Sequence, residues 1–205
     1  WRGSMIKRAL DIALAGTGLL VSSPVWGLIA LAIKLEDRGP IFYRQDRMGK
    51  GGKVFQALKF RSMVPDAEAV VGPVQSGAED PRVTRVGRVL RDTALDELPQ
   101  LWNILIGQMS FVGPRALRPD EIEVNGRGEC VPLKAIPGYA ERHAVVPGLT
   151  GLAQIYAPRD IPRLQKFRYD ILYIRCRTLW LDLRLIAVSL WISVRGRWEH
   201  RERKF

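Results

Sequence analysis

At 205 residues the chain is the size of a single domain and long enough to bury a real core. A formal net charge of +11 and a pI near 10.2 imply an anionic partner: nucleic acid, a phosphorylated substrate or an acidic membrane. Cys130 and Cys176 form neither a Cys-x-x-Cys nor a dense framework, so free thiols are expected. With only His143 and His200 besides, and no metal-spaced cluster, a structural zinc site is not expected.

Trp1-Arg2-Gly3-Ser4 ahead of Met5 reads as a remnant of expression and is set aside. From Ile12 to Ile33 no residue is charged, and a membrane helix needs roughly 20 apolar residues. A signal peptide fits less well, because Lys34-Leu35-Glu36-Asp37 comes directly after with no small-residue cleavage site. Pro24, in Ser22-Ser23-Pro24, removes a hydrogen bond and predicts a kink at mid-run. The serine hydroxyls can satisfy the freed carbonyls. Lys7 and Arg8 before the run and Lys34 and Arg38 after it leave its orientation open and are compatible with both ends cytoplasmic. The residues admit either a kinked span or a re-entrant hairpin.

Ile41 to Arg47 and Lys53 to Arg61 flank a glycine-rich loop and predict a β-hairpin. The loop lacks the spacing of a phosphate-binding P-loop. Strand alternation puts Phe55, Ala57, Lys59 and Arg61 on one face. Lys59 and Arg61 are then paired phosphate contacts, or charges of an edge strand facing water. Residues 65–80 read as loop with one short helix over 66–71. Next comes a helix capped by Thr84, on which Arg85, Arg88 and Arg91 form a basic stripe; Arg91 stands closest to the acids of the next segment.

Thr93 can cap the next helix, with Asp96 near its first turn and Pro99 loosening that turn or moving its start. On this helix Leu95, Leu98, Trp102, Leu105 and Ile106 share an apolar arc with Leu101 at its edge, while Asp96, Gln100, Asn103 and Gly107 share a polar one. Asp96 and Glu97 point about 100° apart, so they need not share a role. Two acids at a helix start are ordinarily dipole complements. The residues after the helix point further: Ser110-Phe111-Val112-Gly113-Pro114-Arg115 is a short apolar run, a turn, and a cation suited to phosphate.

Residues 119–137 are polar and glycine-rich, a surface excursion. Val146-Pro147-Gly148-Leu149-Thr150-Gly151 is turn chemistry. Asp160 is the expected cap of a helix with Pro162 in its first turn and an apolar stripe of Leu164, Phe167, Ile171 and Ile174. On another face of it, Lys166 and Asp170 pair at i,i+4, with Tyr173 one turn on. Residues 179–198 combine Trp180, Trp191 and Trp198 with Arg184, Arg195 and Arg197. That mixture suits a helix in the membrane interface or a buried C-terminal helix.

LDELPQLWNIL followed by MSFVGPR resembles the bacterial sugar transferases, the monotopic phosphoglycosyl transferases that move a sugar phosphate onto polyprenyl phosphate. The resemblance runs from about Lys7 to Trp198 and includes the Pro-Gly-hydrophobic-Thr-Gly turn and Asp170-Ile171-Leu172-Tyr173. It implies a re-entrant helix-break-helix at Ser23-Pro24. It also implies Asp96 as nucleophile, Glu97 as Mg²⁺ ligand, and Lys59, Arg91 and Arg115 as phosphate-neutralising cations. Asp170 would be a positioning group. Leu152 stands where the family has Trp and Ile155 to Arg159 replace an Asn-Gly-Arg, which leaves the sugar open; Ala116 replaces the last Pro of Pro-Arg-Pro, which loosens the loop that carries Arg115.

The expected protein is α+β: a mostly helical, membrane-associated catalytic domain over 37–178 with a small hairpin. A re-entrant anchor over 9–36 precedes it and an interfacial helix over 179–198 completes it. The resemblance implies transfer of a sugar 1-phosphate from a UDP-sugar to polyprenyl phosphate with release of UMP, at the cytoplasmic face of the bacterial inner membrane. The expected site residues are Asp96 and Glu97 for catalysis and metal, and Lys59, Arg61, Arg91, Pro114, Arg115, Asp170 and Tyr173 for substrate. Anionic lipid headgroups are a further expected partner, nucleic acid is not, and a homo-oligomer is left open. The alternatives are a membrane-tethered nucleic-acid-binding protein and a phosphohydrolase with water as acceptor.

Overall fold

The computed structural model describes residues 3–65, 67, 80–124, 130–158, 161–195 and 198. The cap expected at Asp160 and all but residue 67 of the short helix expected over 66–71 lie outside them.

Helix α1 runs unbroken from Gly3–Asp37 with Pro24 inside it. It begins within the N-terminal tetrapeptide, and the two separate helices expected around Ser23-Pro24 are one. Ser23 Oγ donates to the Leu20 carbonyl (2.8 Å), a hydroxyl satisfying a carbonyl next to the proline as anticipated. One stripe of α1 faces the protein: Asp11, Ala15, Ile29 and Ile33 are buried, and Leu19 and Trp26 pack beside them. The opposite side is bare, with Leu20 78%, Val21 74% and Leu35 77% exposed. Met5–Asp37 is long and apolar enough to cross a membrane by length and composition.

Both ends of α1 are fastened to the same body. At the N-terminal end Arg8 donates to the carbonyls of Ile104 (2.6 Å) and Leu105 (2.7 Å), and Asp11 Oδ1 accepts from Ser110 Oγ and Phe111 N–H (both 3.1 Å). At the other end Glu36 accepts from the N–H groups of Arg85 (2.7 Å) and Val86 (3.2 Å), while Asp37 pairs with Arg61.

Strands β1 (Phe42–Met48) and β2 (Val54–Phe60) form the predicted antiparallel hairpin, with Arg47 opposite Phe55 and Gln45 opposite Ala57. Helix α2 (Arg85–Thr93) has the predicted cap: Thr84 Oγ1 accepts from Gly87 N–H at 2.9 Å. Gly87 lies against β2's exit so closely that a Cβ there would sit 2.0 Å from the Ser62 carbonyl oxygen.

Thr93 does not cap the next helix. Its hydroxyl donates back to Val89 O (2.7 Å) and so belongs to the end of α2. Ala94 then takes a left-handed conformation (φ 58°), Leu95–Glu97 form one 3₁₀ turn, and α3 (Gln100–Leu105) starts only after Pro99. This shift rotates the helix relative to the expected arcs. Leu101 and Ile104 face the core with Gln100 and Asn103, whereas Trp102 and Ile106 are about half exposed. Asn103 is tolerated there because its amide donates to Gln56 O (2.8 Å) and accepts from Leu58 N–H (3.0 Å), locking α3 to β2.

Two further small sheets are absent from the sequence-based expectation. β3 (Ser110–Val112) pairs in parallel with β6 (Gly148–Thr150), and β4 (Ile122–Val124) pairs antiparallel with β5 (Cys130–Pro132) inside the expected surface excursion. Short α4 (Tyr139–Arg142) and α5 (Leu152–Tyr156) lead to α6 (Arg163–Cys176) and α7 (Leu179–Val194).

Ala15, Phe55, Ala57, Leu101 and Ile104 form one core cluster between α1, β2 and α3. Val112, Ile155, Tyr173, Leu185 and Ile192 form a second between β3 and the last three helices. Each large aliphatic side chain so buried contributes roughly 1.5–3 kcal/mol. On α7, Trp180 (76%) and Trp191 (57%) stay exposed while Leu185 and Ile192 are buried, so the helix packs one face into the core and turns its tryptophans outward.

Candidate active site

The centre is the turn that carries Asp96 and Glu97. Because Lys59 leaves β2 on the same face as Phe55 and Ala57, its ammonium reaches both acids: 2.5 Å to Glu97 Oε1 and 3.8 Å to Asp96 Oδ2. All three side chains are mostly buried, at 17%, 11% and 19% exposure for Lys59, Asp96 and Glu97. Burial alone would raise the Glu97 carboxyl, but the charges of Lys59, Arg115 and Arg47 and the Lys59 hydrogen bond outweigh it and hold the group at about 2. A depressed carboxyl adds stability above its unfolded pKa and loses it as pH falls through the folded value. Glu97 is therefore a carboxylate throughout the neutral range.

Removing the largest opposing charge should move that value up. For Lys59→Gln we expect an acid limb to enter the pH profile of kcat/KM at higher pH than in the unmodified protein. The limb's position is the readout, so a general loss of rate does not confuse it. A profile of unchanged shape would show that Lys59 does not set the Glu97 charge.

Opposite these acids stands the Ser110–Arg115 loop. It is stitched to the Pro147–Thr150 turn by Ser110 N–H to Pro147 O (2.9 Å), Gly148 N–H to Pro114 O (2.9 Å) and Gly113 N–H to Thr150 O (3.0 Å). The two turns meet so closely that a Cβ on Gly148 would lie 2.0 Å from Gly113 N, which requires glycine there. Pro114 is thus buried backbone support, and Arg115 extends outward as an exposed side chain. Glu97, Lys59 and this loop line a cavity of about 20 Å³, together with Arg47 and Gln100.

Three of the predicted substrate residues sit elsewhere. Arg61 does not join Lys59: it has left the strand, and its guanidinium forks onto Asp37 at 2.6 and 2.5 Å while Nε donates to Pro40 O. Asp170 is buried and bound to Arg142 (2.9 Å), not in a surface pair with Lys166. Arg142 in turn donates to the Arg115 carbonyl at 2.6 Å. The Tyr173 hydroxyl lies 2.7 Å from Asp182 Oδ1 and 3.1 Å from the Val112 carbonyl. Burial, with Asp182 beside it, pushes that phenol far up, so it stays protonated. Asp170 and Tyr173 therefore hold the Val112–Arg115 loop from behind. Of the expected apolar stripe on α6, Phe167 is buried and Ile174 packs beside the core while Leu164 is exposed, and Asp170 and Tyr173 join Phe167 on the buried face.

Arg91 stands between the two groups: its Nε donates to Ser62 Oγ at 2.9 Å, tying α2 to the end of β2. Arg47 is the cation that sequence reasoning missed. It donates to Ala116 O at 2.9 Å and to Gln45, and burial beside Arg115 and Arg118 lowers its guanidinium to about 10. The hairpin's register contains the signal, since Arg47 faces Phe55 and so shares the Lys59 side.

A carboxylate pair bracketed by a buried lysine and arginines is suited to a phosphorylated, anionic substrate. The chain belongs to the bacterial sugar transferase family, whose description matches residues 2–196. It is 44% identical over 192 residues to the UDP-glucose:undecaprenyl-phosphate glucose-1-phosphate transferase of Escherichia coli (strain K12), covering 91% of this chain and 39% of that protein. It is 40% identical over 191 residues to the undecaprenyl-phosphate glucose phosphotransferase of Komagataeibacter xylinus, covering 90% and 35%. The chain thus spans little more than a third of these relatives. Against the exopolysaccharide production protein PSS of Rhizobium leguminosarum bv. phaseoli it is 41% identical over 187 residues, covering 89% and 92%.

Proposed function

We propose that this protein transfers a sugar 1-phosphate from a UDP-sugar to undecaprenyl phosphate through a phosphosugar-aspartyl intermediate, the first membrane step of exopolysaccharide or glycoconjugate assembly. The observation that carries the reading is the Lys59 ammonium shared by Asp96 and Glu97, facing the arginine-bearing loop, in a chain so similar to proteins named as glucose-1-phosphate transferases.

Asp96 Oδ attacks the β-phosphorus of the donor. The bond from that phosphorus to the bridging oxygen breaks, and UMP leaves with the electron pair. Lys59, Arg115 and Arg47 lower the repulsion between the carboxylate and the incoming diphosphate. A phosphate oxygen of the polyprenyl acceptor then attacks the same phosphorus, the Asp96–phosphorus bond breaks, and Asp96 returns as carboxylate. The acceptor is already ionised, so no general base is needed. Among the described residues no group of three or more His, Cys, Asp or Glu is gathered. Two adjacent carboxylates fit Mg²⁺ nonetheless, because that ion binds through one or two carboxylates plus substrate phosphates. Glu97 would hold it, and the ion when bound neutralises charge on the diphosphate.

For the membrane we propose that α1 rests its apolar outward face in the cytoplasmic leaflet without crossing the bilayer, with both its ends and the site on that face. In support, both its ends are fastened to one body while its outward face is apolar. Cysteines placed at each end of α1 should label from the same side in intact cells; labelling of one end alone from outside would refute this.

The deciding assay offers a panel of UDP-sugars with undecaprenyl phosphate and follows UMP and lipid-linked sugar. Sugar phosphate released to water in the absence of lipid would replace transfer by hydrolysis.

A further inference from the structure

The cavity beside Glu97 holds a group to which the transfer chemistry assigns no part. Gln100 lines it at 4% exposure, and its Nε2 reaches no hydrogen-bond acceptor among the described residues. Its buried neighbour on the same helix, Asn103, is by contrast bonded to β2 on both its nitrogen and its oxygen. A buried amide nitrogen without an acceptor is costly, and a bound oxygen would remove the cost.

Size decides what that oxygen belongs to. One water requires about 10–15 Å³ of such space. The cavity offers about 20 Å³, which admits a single oxygen and excludes a sugar ring or a base. Charge decides next. Lys59, Arg47 and Arg115 all line the same space with Glu97 as the one carboxylate, so an anionic oxygen suits the cavity better than a neutral one.

We propose that Gln100 is the neutral donor for one non-bridging oxygen of the phosphoryl group being transferred. This rests on the proposed transfer reaction and adds to it a positional role. The cations neutralise the diphosphate from the moment it binds. A neutral amide donor gains most as negative charge builds on its own oxygen partner, so it acts chiefly on the transition state. It also makes the two non-bridging oxygens of the β-phosphorus inequivalent.

The test uses the full chain in detergent or lipid with a UDP-sugar and its two β-phosphorothioate diastereomers, following UMP release in a single turnover. Gln100→Leu should lower the rate at saturating donor by about 10²-fold, the scale for loss of one oxyanion donor, with a much smaller change in KM. The ratio of rates on the two diastereomers should collapse towards one. Gln100→Glu keeps the volume but presents no amide donor, and should fall at least as far. An unchanged rate or an unchanged diastereomer ratio in Gln100→Leu would overturn the proposal. So would a loss equal on both diastereomers that tracks a fall in Tm, which would make Gln100 a packing residue. No UMP release by the unmodified protein from any UDP-sugar would overturn the transfer reading and this one with it, and so tells the two failures apart.

Discussion

Asp96→Asn is expected to abolish UMP release from the UDP-sugar donor, by on the order of 10³-fold or more, because an amide cannot serve as the attacking oxyanion. The unmodified protein, given donor but no lipid, should release UMP stoichiometrically and carry a phosphosugar mass adduct on the peptide containing Asp96. The variant should show neither. Its fold should persist, since Asn is isosteric and the close partner of Lys59 is Glu97 at 2.5 Å, not Asp96 at 3.8 Å. UMP that appears only when polyprenyl phosphate is present, with no adduct trapped, would mean direct transfer and remove the covalent step.

The second large effect is on stability. Asp170 and Arg142 form an ion pair with side chains 4% and 2% exposed, and the guanidinium also lies over the Phe167 ring at 4.7 Å. Burial pushes the Asp170 carboxyl up and the Arg142 guanidinium down, while each charge favours the other's ionised form. Asp170→Asn strands the guanidinium in the interior, a change that costs about 3–5 kcal/mol. For a domain of this length that lowers Tm by roughly 6–20 °C. Below the transition the variant should still form the Asp96 adduct, more slowly, because Arg142 then holds the Arg115 carbonyl less firmly. Replacing both partners by apolar residues, Asp170→Leu with Arg142→Met, should recover much of the stability but not the rate. A Tm equal to that of the unmodified protein in Asp170→Asn would show that the pair contributes nothing.

How much of the molecule is legible in its sequence depends on how local each signal is. The hairpin, the Thr84 cap and the joint face of Phe55, Ala57 and Lys59 depend on near neighbours, and all are present. The Asp96 turn escapes such a reading because Thr93, a good cap by type, bonds backward instead, and Ala94 adopts a conformation ordinarily left to glycine or asparagine. No periodicity argument survives such a break. Arg61 and Asp170 look like substrate contacts because their partners, Asp37 and Arg142, lie 24 and 28 residues away, beyond any local pattern. The β3–β6 pairing joins two turns that are each recognisable alone, but nothing in either says that they meet.

The Lys7–Asp182 contact spans 175 residues, and with Tyr173 it converges on the Val112 carbonyl behind the arginine loop. Synthesis at about 5–20 residues per second separates those two residues by roughly 9–35 seconds. During that interval the apolar helix α1 is already out, and soon the Asp96 turn is too. The loop that must face that turn still lacks its rear support, because α7 has not been made. The arginine loop thus gains its rear support only once α7 has been made, and a chain stopped before α7 presents the Asp96 turn to a loop that nothing holds through Asp182.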